Sequence, residues 1–311
     1  MHKKSAFTMI ELIMVIVILG IVASIGAEII SKLYENYIKT RAINRLQTQT
    51  DLVLNEISQR LQYRIKDSVI ARDANGTSTP APHYVPLTDA NDSYQILEWI
   101  GYDNDSFKAL KNPGWSGFID LDSNMTDKNL GTYGKIKTSG SELNTTNSII
   151  KALSDNRVSL DGTTPNRPAI IFSGLSNFDV TQYGWSGVDG NYTFKVSYTP
   201  GVNDVLNFDE NVSAKGLNEI FEQYHLAWSA YSIVPEGTNT NDFNLTLHYN
   251  YQPWENESYN DVNTSVSLLA EHVSTFKFTK IGDTIRLKLC INDAFRSGSD
   301  NFAFCKEKVV Y

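Results

Sequence analysis

The sequence predicts an α+β fold, in which a long N-terminal helix packs on a C-terminal antiparallel β-sheet with loop-rich insertions. Three observations lead to this prediction. Apolar residues recur with helical spacing as far as about residue 69, and neither Gly nor Pro interrupts residues 27–75. Apolar and polar residues alternate in several short segments after residue 240. Between these regions, stretches rich in Gly, Pro, Asn and Ser predict long connections.

The first part of the helix is an apolar segment, Phe7–Ala27, which two further isoleucines extend. Its length is close to the ~20 residues that a membrane-spanning helix needs. Basic residues beside such a segment stay in the cytoplasm, so Lys3 and Lys4 place the N-terminus inside the cell. Glu11 lies at the inner edge of the segment, where a carboxylate costs about 2.5–3.5 kcal/mol. Glu11 is therefore a candidate functional residue.

The second part of the helix is amphipathic. Its apolar side chains recur at steps of three, four and seven residues and are Leu33, Tyr37, Ile38, Ala42, Leu46, Val53, Ile57, Leu61 and Ile65. A helix from Phe7 to about Val69 would be about 90 Å long at 1.5 Å per residue. We expect its second half to lay this apolar stripe against a sheet.

Strands are predicted for the remainder of the chain. The expected strands are Tyr94–Ile100, Ala169–Phe172, Phe178–Tyr183, Asn191–Tyr198, Phe243–Tyr251, Val273–Lys280, Thr284–Ile291 and Phe302–Tyr311. A hairpin turn is expected at Gly282–Asp283. The segment Ile149–Leu153 fits either a short helix or a strand, and Ile220–Val234 is equally open, although its aromatic content favours strand in the second half.

Charge and motif content exclude several classes of function. The formal net charge is −8, which argues against a broad nucleic-acid-binding surface because such a surface needs a basic face. No HExxH, P-loop or dinucleotide-binding pattern occurs, and the two GWSG segments do not complete Gly-X-Ser-X-Gly. The sequence thus predicts no enzymatic site.

The chain has two cysteines, Cys290 and Cys305, close together near its C-terminus. A close pair in an exported segment predicts one disulfide, because disulfides persist outside the cytoplasm. The alternative is a pair of free thiols. A zinc site is not supported, because no His or second Cys pair lies at ligand spacing.

Asn-X-Ser/Thr sequons are spread along the predicted head. They begin at Asn75, Asn91, Asn104, Asn124, Asn144, Asn191, Asn211, Asn244, Asn256 and Asn263. In eight of the ten, all but Asn104 and Asn256, an acidic residue stands two positions before the Asn, against about one expected by chance. This extended form resembles the acceptor of the bacterial N-glycosylation machinery, and we expect modification at several of the eight sites. A loop composition rich in Asn, Asp and Ser is the alternative.

One segment resembles the start of a calcium-binding loop, with candidate ligands Asp120, Asp122, Asn124 and Asp127. The usual Gly of such a loop is replaced by Met125, and its final Glu by Gly131. A solvated loop or a glycan at Asn124 fits the same residues.

The order FTMIELIMVIVILGI resembles the N-terminus of type IV pilins and type II secretion pseudopilins. The resemblance implies cleavage between Ala6 and Phe7 by a prepilin peptidase, which also methylates the new Phe7 amino group. Most members of the family have Gly before the cut, where this chain has Ala6, another small residue. Glu11 matches the glutamate of the family, which would pair with the Phe7 ammonium of a neighbouring subunit, because an unpaired buried charge is costly.

The resemblance divides the chain into a leader (1–6), a transmembrane half (7–30) and an amphipathic half (31–70) of the helix, and a β-rich head (71–311). It implies a structural minor pilin or pseudopilin at the tip or start of a filament, held in the inner membrane with a periplasmic head. The C-terminal strands bear a weaker resemblance to the ends of large minor pilins. An adhesin or a competence DNA-uptake subunit at the filament tip is an alternative.

Two further interpretations of the N-terminus were considered. A secretory signal peptide cleaved near Gly26 or Ala27 fits the basic start and apolar core, but not the FTMIEL order. A plain single-pass anchor leaves Glu11 without a role.

Overall fold

The computed structural model describes residues 8–74, 76, 83–108, 112–128, 133–174, 179–188, 190–217, 219–293 and 302–311. It confirms the predicted α+β class, with a long N-terminal helix followed by antiparallel sheets.

Helix α1 (Met9–Gln62) has 54 residues, or about 80 Å at 1.5 Å per residue. It ends earlier than the apolar periodicity predicts. Arg64 already forms a β-bridge with Gly101, and the Ile65 N–H donates to the Ile100 carbonyl at 2.9 Å. These long-range backbone bonds hold Arg64 and Ile65 beside a strand of the sheet. The apolar periodicity therefore extends past the end of the helix, into residues that are not helical.

The described residues form two further α-helices and thirteen strands after α1. In chain order they are β1 (Ile70–Arg72), β2 (Tyr84–Pro86), β3 (Ile96–Gly101), α2 (Asn104–Phe107), β4 (Lys135–Lys137), α3 (Leu143–Leu153), β5 (Ala169–Phe172), β6 (Phe194–Tyr198), β7 (Val205–Phe208), β8 (Tyr224–Ala227), β9 (Ser229–Asn239), β10 (Asp242–Tyr251), β11 (Ser265–Ile281), β12 (Thr284–Asn292) and β13 (Ala303–Val310).

The strands form two sheets in which every pairing is antiparallel. The larger has the order β13-β12-β11-β10-β9-β3-β1-β2, and the smaller has the order β4-β7-β6-β5-β8. Strands β10, β12 and β13 and the turn at Gly282–Asp283 lie where the alternation predicts them, whereas β11 begins eight residues before the predicted Val273. The segment that fitted either a helix or a strand is the end of α3. The other open segment contains β8 and much of β9.

One predicted strand is wrong. Within Phe178–Tyr183, the structure has a 3₁₀ turn at Val180–Tyr183, and Phe178 lies outside the described residues. The Asp179 side chain accepts a hydrogen bond from the Thr181 N–H at 3.0 Å and so caps this turn. A local side-chain cap therefore overrides the alternating pattern.

The C-terminal part of α1 packs on one face of the larger sheet. Its buried apolar residues are Leu46, Val53, Leu54, Ile57 and Leu61, and they meet a cluster formed largely by β3 and β9–β13. Leu33 and Tyr37, in the same predicted stripe, are 62% and 60% exposed. Within the described structure, the first half and the middle of α1 are therefore exposed, and its C-terminal part packs on the larger sheet.

The chain between β3 and β9, called the insertion below, packs with its described residues on the opposite face of the larger sheet. Glu98 of β3 is fully buried and accepts hydrogen bonds from Arg72 Nε at 2.7 Å and from the Tyr251 hydroxyl at 2.8 Å. Arg72 also donates to the Trp185 carbonyl at 3.1 Å, in the segment that precedes β6. A buried ion pair of this kind needs such extra hydrogen bonds to offset its desolvation.

Asp103 lies where β3 leads into the insertion. Its N–H donates to the Leu226 carbonyl at 2.7 Å, and its carboxylate accepts from the Ser106 N–H at 3.1 Å, capping α2. The residue is almost fully buried, and this burial raises the pKa of the Asp103 carboxyl to about 6, although the Ser106 hydrogen bonds oppose the change.

Replacing Ile57 by Ala tests the docking of α1. Ile57 is fully buried, so we expect the free energy of unfolding to fall by about 2–5 kcal/mol in urea denaturation of the full chain in detergent. Leu52 on the same helix is 65% exposed, and Leu52→Ala is the matched control, with a change below about 0.5 kcal/mol. Equal losses in the two variants would contradict the docking.

Replacing Asp103 by Asn tests the raised pKa. Native Asp103 keeps its proton to about pH 6, whereas the unfolded side chain loses it near 3.9, so the native state binds more protons in between. Stability of the natural chain should therefore fall as pH rises from about 4 to about 6, by about 3 kcal/mol, and then level off.

The amide that Asp103→Asn introduces does not titrate, so the variant should lack this fall. Urea denaturation at about pH 4 and about pH 7 measures it, with Asp122→Asn, at a fully exposed carboxylate, as the control. A stability difference between Asp103→Asn and the natural chain that is constant with pH would contradict the assignment.

Candidate assembly segment and modification sites

Helix α1 begins with a capping box formed by Thr8 and Glu11. The Glu11 carboxylate accepts hydrogen bonds from the Thr8 N–H at 2.9 Å and the Thr8 hydroxyl at 2.8 Å. The Thr8 hydroxyl in turn accepts from the Glu11 N–H at 3.4 Å. The Thr-X-X-Glu spacing is a known signal for this arrangement and could have predicted it. In the single chain, Glu11 therefore stabilises the start of its own helix.

The apolar half of α1 has no cover within the described structure. Every Leu, Ile, Val and Met side chain from Met9 to Ile30 is more than half exposed. Among the described residues, α1 is the one helix long and apolar enough to cross a membrane. Because so much apolar surface is unstable in water, this segment requires a lipid or helical environment.

The N-terminal segment is similar to a known protein family. Residues 1–27 match the family model of the prokaryotic N-terminal methylation motif. The chain carries a prepilin-type N-terminus. The motif and the apolar helix are consistent with membrane anchoring in a type IV pilin-like protein, and they imply processing by a prepilin peptidase and assembly with other pilins. Searches of curated proteins and of solved structures returned no match.

The motif confirms the resemblance of the N-terminus to prepilins, whose family is structural. Ala6 and Phe7 lie outside the described residues, so the cleavage position stays a prediction. No ion pair of Glu11 occurs within the described residues, so its pairing with a Phe7 ammonium also stays a prediction.

Cys290 and Cys305 form the predicted disulfide. They are directly opposite each other in the β12–β13 register. The bond therefore joins the last two strands of the larger sheet. One of them, β13, also packs against α1: the Lys306 ammonium pairs with Asp51 of the helix.

The sequons with an acidic residue share one property. In the described part of the chain, their asparagines are all exposed: Asn91, Asn124, Asn144, Asn191, Asn211, Asn244 and Asn263. None of these side-chain amide nitrogens, the atoms that would carry a glycan, donates a hydrogen bond to a described residue. Asn144 lies in the first turn of α3 and Asn244 in β10, rather than in turns. Asn75 lies outside the described residues.

The candidate calcium ligands do not come together. The Asp120 carboxylate accepts from the Asp122 N–H at 3.1 Å, and the Asp127 carboxylate accepts from the Lys135 N–H at 3.0 Å. Asn124 is exposed. No group of three or more Asp, Glu, His or Cys side chains in the described structure is arranged to hold a metal ion. The EF-hand-like spacing here forms a loop held by its own backbone bonds.

Proposed function

We propose that the chain is a minor pilin or pseudopilin, a structural subunit of a type IV pilus or of a type II secretion-like filament. The observation that carries this proposal is the methylation motif at the start of a helix whose apolar half nothing in the described chain covers. A prepilin peptidase/methyltransferase would cut between Ala6 and Phe7 and methylate Phe7. We assign no enzymatic activity to the chain.

Glu11 supplies the contact that sets the position of the subunit. Helices packed side by side in a filament would bury its carboxylate, and a buried unpaired charge is costly. The Phe7 ammonium of a neighbouring pilin or pseudopilin neutralises that charge. In the single chain, the Thr8 N–H and hydroxyl donate hydrogen bonds to this carboxylate. Pairing would replace these hydrogen bonds by an ion pair with the Phe7 ammonium.

The head supports a place at the tip or start of the filament. It adds a second sheet and two helices to the sheet that α1 supports, and such a bulky head packs poorly in a repeating shaft. We place the N-terminus in the cytoplasm, the helix in the inner membrane and the head in the periplasm, or in a filament there or at the cell surface. A tip adhesin is the alternative, and the net charge of −8 disfavours a DNA-uptake subunit.

We also propose that the bacterial N-glycosylation machinery modifies the head at the acidic sequons. Exposure of all seven described sites and their free amide nitrogens support this proposal. Asn256 lacks the acidic residue but is also exposed. A comparison of Asn256 with the acidic sequons therefore separates the effect of the acidic residue from the effect of exposure.

Replacing Glu11 by Val tests assembly. We expect Glu11→Val to leave the head folded, because Glu11 lies far along α1 from the docked residues, but to abolish incorporation into filaments. Pull-down and cross-linking to neighbouring subunits in the native host measure incorporation. Glu28→Gln, which removes an exposed carboxylate paired with Lys32 on the same helix, is the control and should assemble. Normal assembly of Glu11→Val would refute the role of the carboxylate.

Intact-mass and glycopeptide analysis of protein from the native host tests glycosylation. We expect glycans at acidic sequons and none at Asn256. Asp122 is fully exposed, so Asp122→Ala should abolish the glycan at Asn124 without disturbing the fold, while the other sites keep theirs. A mass equal to that of the bare polypeptide, or a glycan at Asn256, would refute the proposal.

A further inference from the structure

The insertion contains an aromatic cleft of about 620 Å³ between α2, residues 115–118 and the start of β8. Its size is that of a small-molecule site, which typically combines apolar and aromatic walls with a few polar groups. Among its lining residues, the sequence patterns mark Asn104, which begins a sequon without an acidic residue, and the first GWSG segment, which contains Trp115. The cleft belongs to the head, and ligand binding there would not depend on whether the chain enters a filament.

The walls of the cleft are aromatic rings in mutual contact. Trp115 is buried, and its ring centroid lies 5.0 Å from that of Phe107. Tyr102 stacks on His225 with centroids 5.1 Å apart. Because these rings support one another, their positions are set before any ligand arrives.

The mouth of the cleft keeps aromatic surface in water. Phe118 is 46% exposed and Phe107 is 37% exposed. Gly117, at φ 72°, lies between Trp115 and Phe118 in the chain, in a turn conformation that other residues rarely adopt. Ring faces held at the entrance of a preformed cleft can bind the apolar face of a ligand.

The polar groups on the rim are amides and hydroxyls. Asn104, Ser173 and Gln223 line the cleft, and none of their side chains has a hydrogen-bond partner within the described structure. An amide offers two donors and an acceptor, and a hydroxyl offers a donor and acceptors. These groups complement a ligand whose own groups both donate and accept, as sugar hydroxyls do.

The charge of the cleft is low. Among the described side chains that line it, Lys108 has the one formal charge, and its ammonium is already 3.4 Å from the Tyr63 hydroxyl and 5.0 Å from the Tyr63 ring centroid. Burial lowers the pKa of His225, so its imidazole is neutral at neutral pH. Polyanions and nucleic acids need a basic groove, which this cleft lacks.

We propose that this cleft binds a neutral oligosaccharide. The C–H face of a sugar ring stacks on Phe118 and Phe107 at the mouth, over the Trp115 floor. Its hydroxyls bond to the free amides of Gln223 and Asn104.

The test is isothermal titration calorimetry of the full chain in detergent, because four tryptophans besides Trp115 would contribute to a fluorescence signal. The probes are neutral trisaccharides (cellotriose, chitotriose, maltotriose and mannotriose), with trigalacturonate, an oligothymidylate and an aromatic tripeptide as comparison ligands. We expect saturable binding of at least one neutral trisaccharide with a dissociation constant of about 1 mM or tighter, and no binding of the acidic ligands.

Two substitutions make the result specific to the cleft. Phe118→Ala and Gln223→Ala should each weaken binding by about tenfold or more, and both residues are exposed enough for the head to stay folded, as circular dichroism verifies. Tyr133→Ala, which removes a 68% exposed ring outside the cleft, should leave binding unchanged. Absence of any neutral trisaccharide binding, unchanged affinity in Phe118→Ala, or preference for an acidic ligand or the peptide would overturn the proposal.

Discussion

The structure depends on one constraint, which is that α1 is covered over only part of its length. Packing on the sheet begins at Leu46, whereas every large apolar side chain from Met9 to Ile30 lies open. The sheet therefore stabilises one end of the helix, and the membrane or other helices must stabilise the other. Glu11 lies at the start of the open end and Glu28 near its other limit, where Glu28 pairs with Lys32. Between them the open surface has no charged side chain.

The docked end of α1 is held by polar contacts as well as by apolar packing. One Arg64 guanidinium nitrogen donates to the Leu61 carbonyl at 2.8 Å and to the Tyr311 carbonyl at 3.2 Å, and another donates to the Asp283 carbonyl at 3.0 Å. The last turn of the helix is thereby tied to the C-terminal residue and to the β11–β12 turn. The Cys290–Cys305 disulfide joins the two strands next to these contacts, β12 and β13.

Local signals predicted the features that depend on neighbours in sequence. The helix and the C-terminal hairpins follow from apolar periodicity, and the assembly segment follows from the order of a few residues around Glu11. The end of the helix did not follow, because the partner of Arg64 is Gly101. Of the smaller sheet, β5 and β6 lie within predicted strands, but β4 and β7 were missed, since they have three and four residues and pair with each other across about 70 residues. The calcium candidate has part of the ligand spacing, but the Asp127 carboxylate accepts a hydrogen bond from the Lys135 N–H of β4, a contact that the spacing does not predict.

The proposed filament assembly and the proposed glycosylation would use different parts of the chain surface. A filament subunit must leave its helix bare for packing, and a glycosylated head must hold its acceptor asparagines in solvent. All ten sequons lie between Asn75 and Asn263, so α1 and the body of strands β11 to β13 contain none. Helix α1 docks mainly on β12 and β13. The segments without sequons are therefore the helix and the strands on which it packs. Any glycan on this molecule would therefore be attached to the insertion and the strands around it, and the helix would stay free to pack.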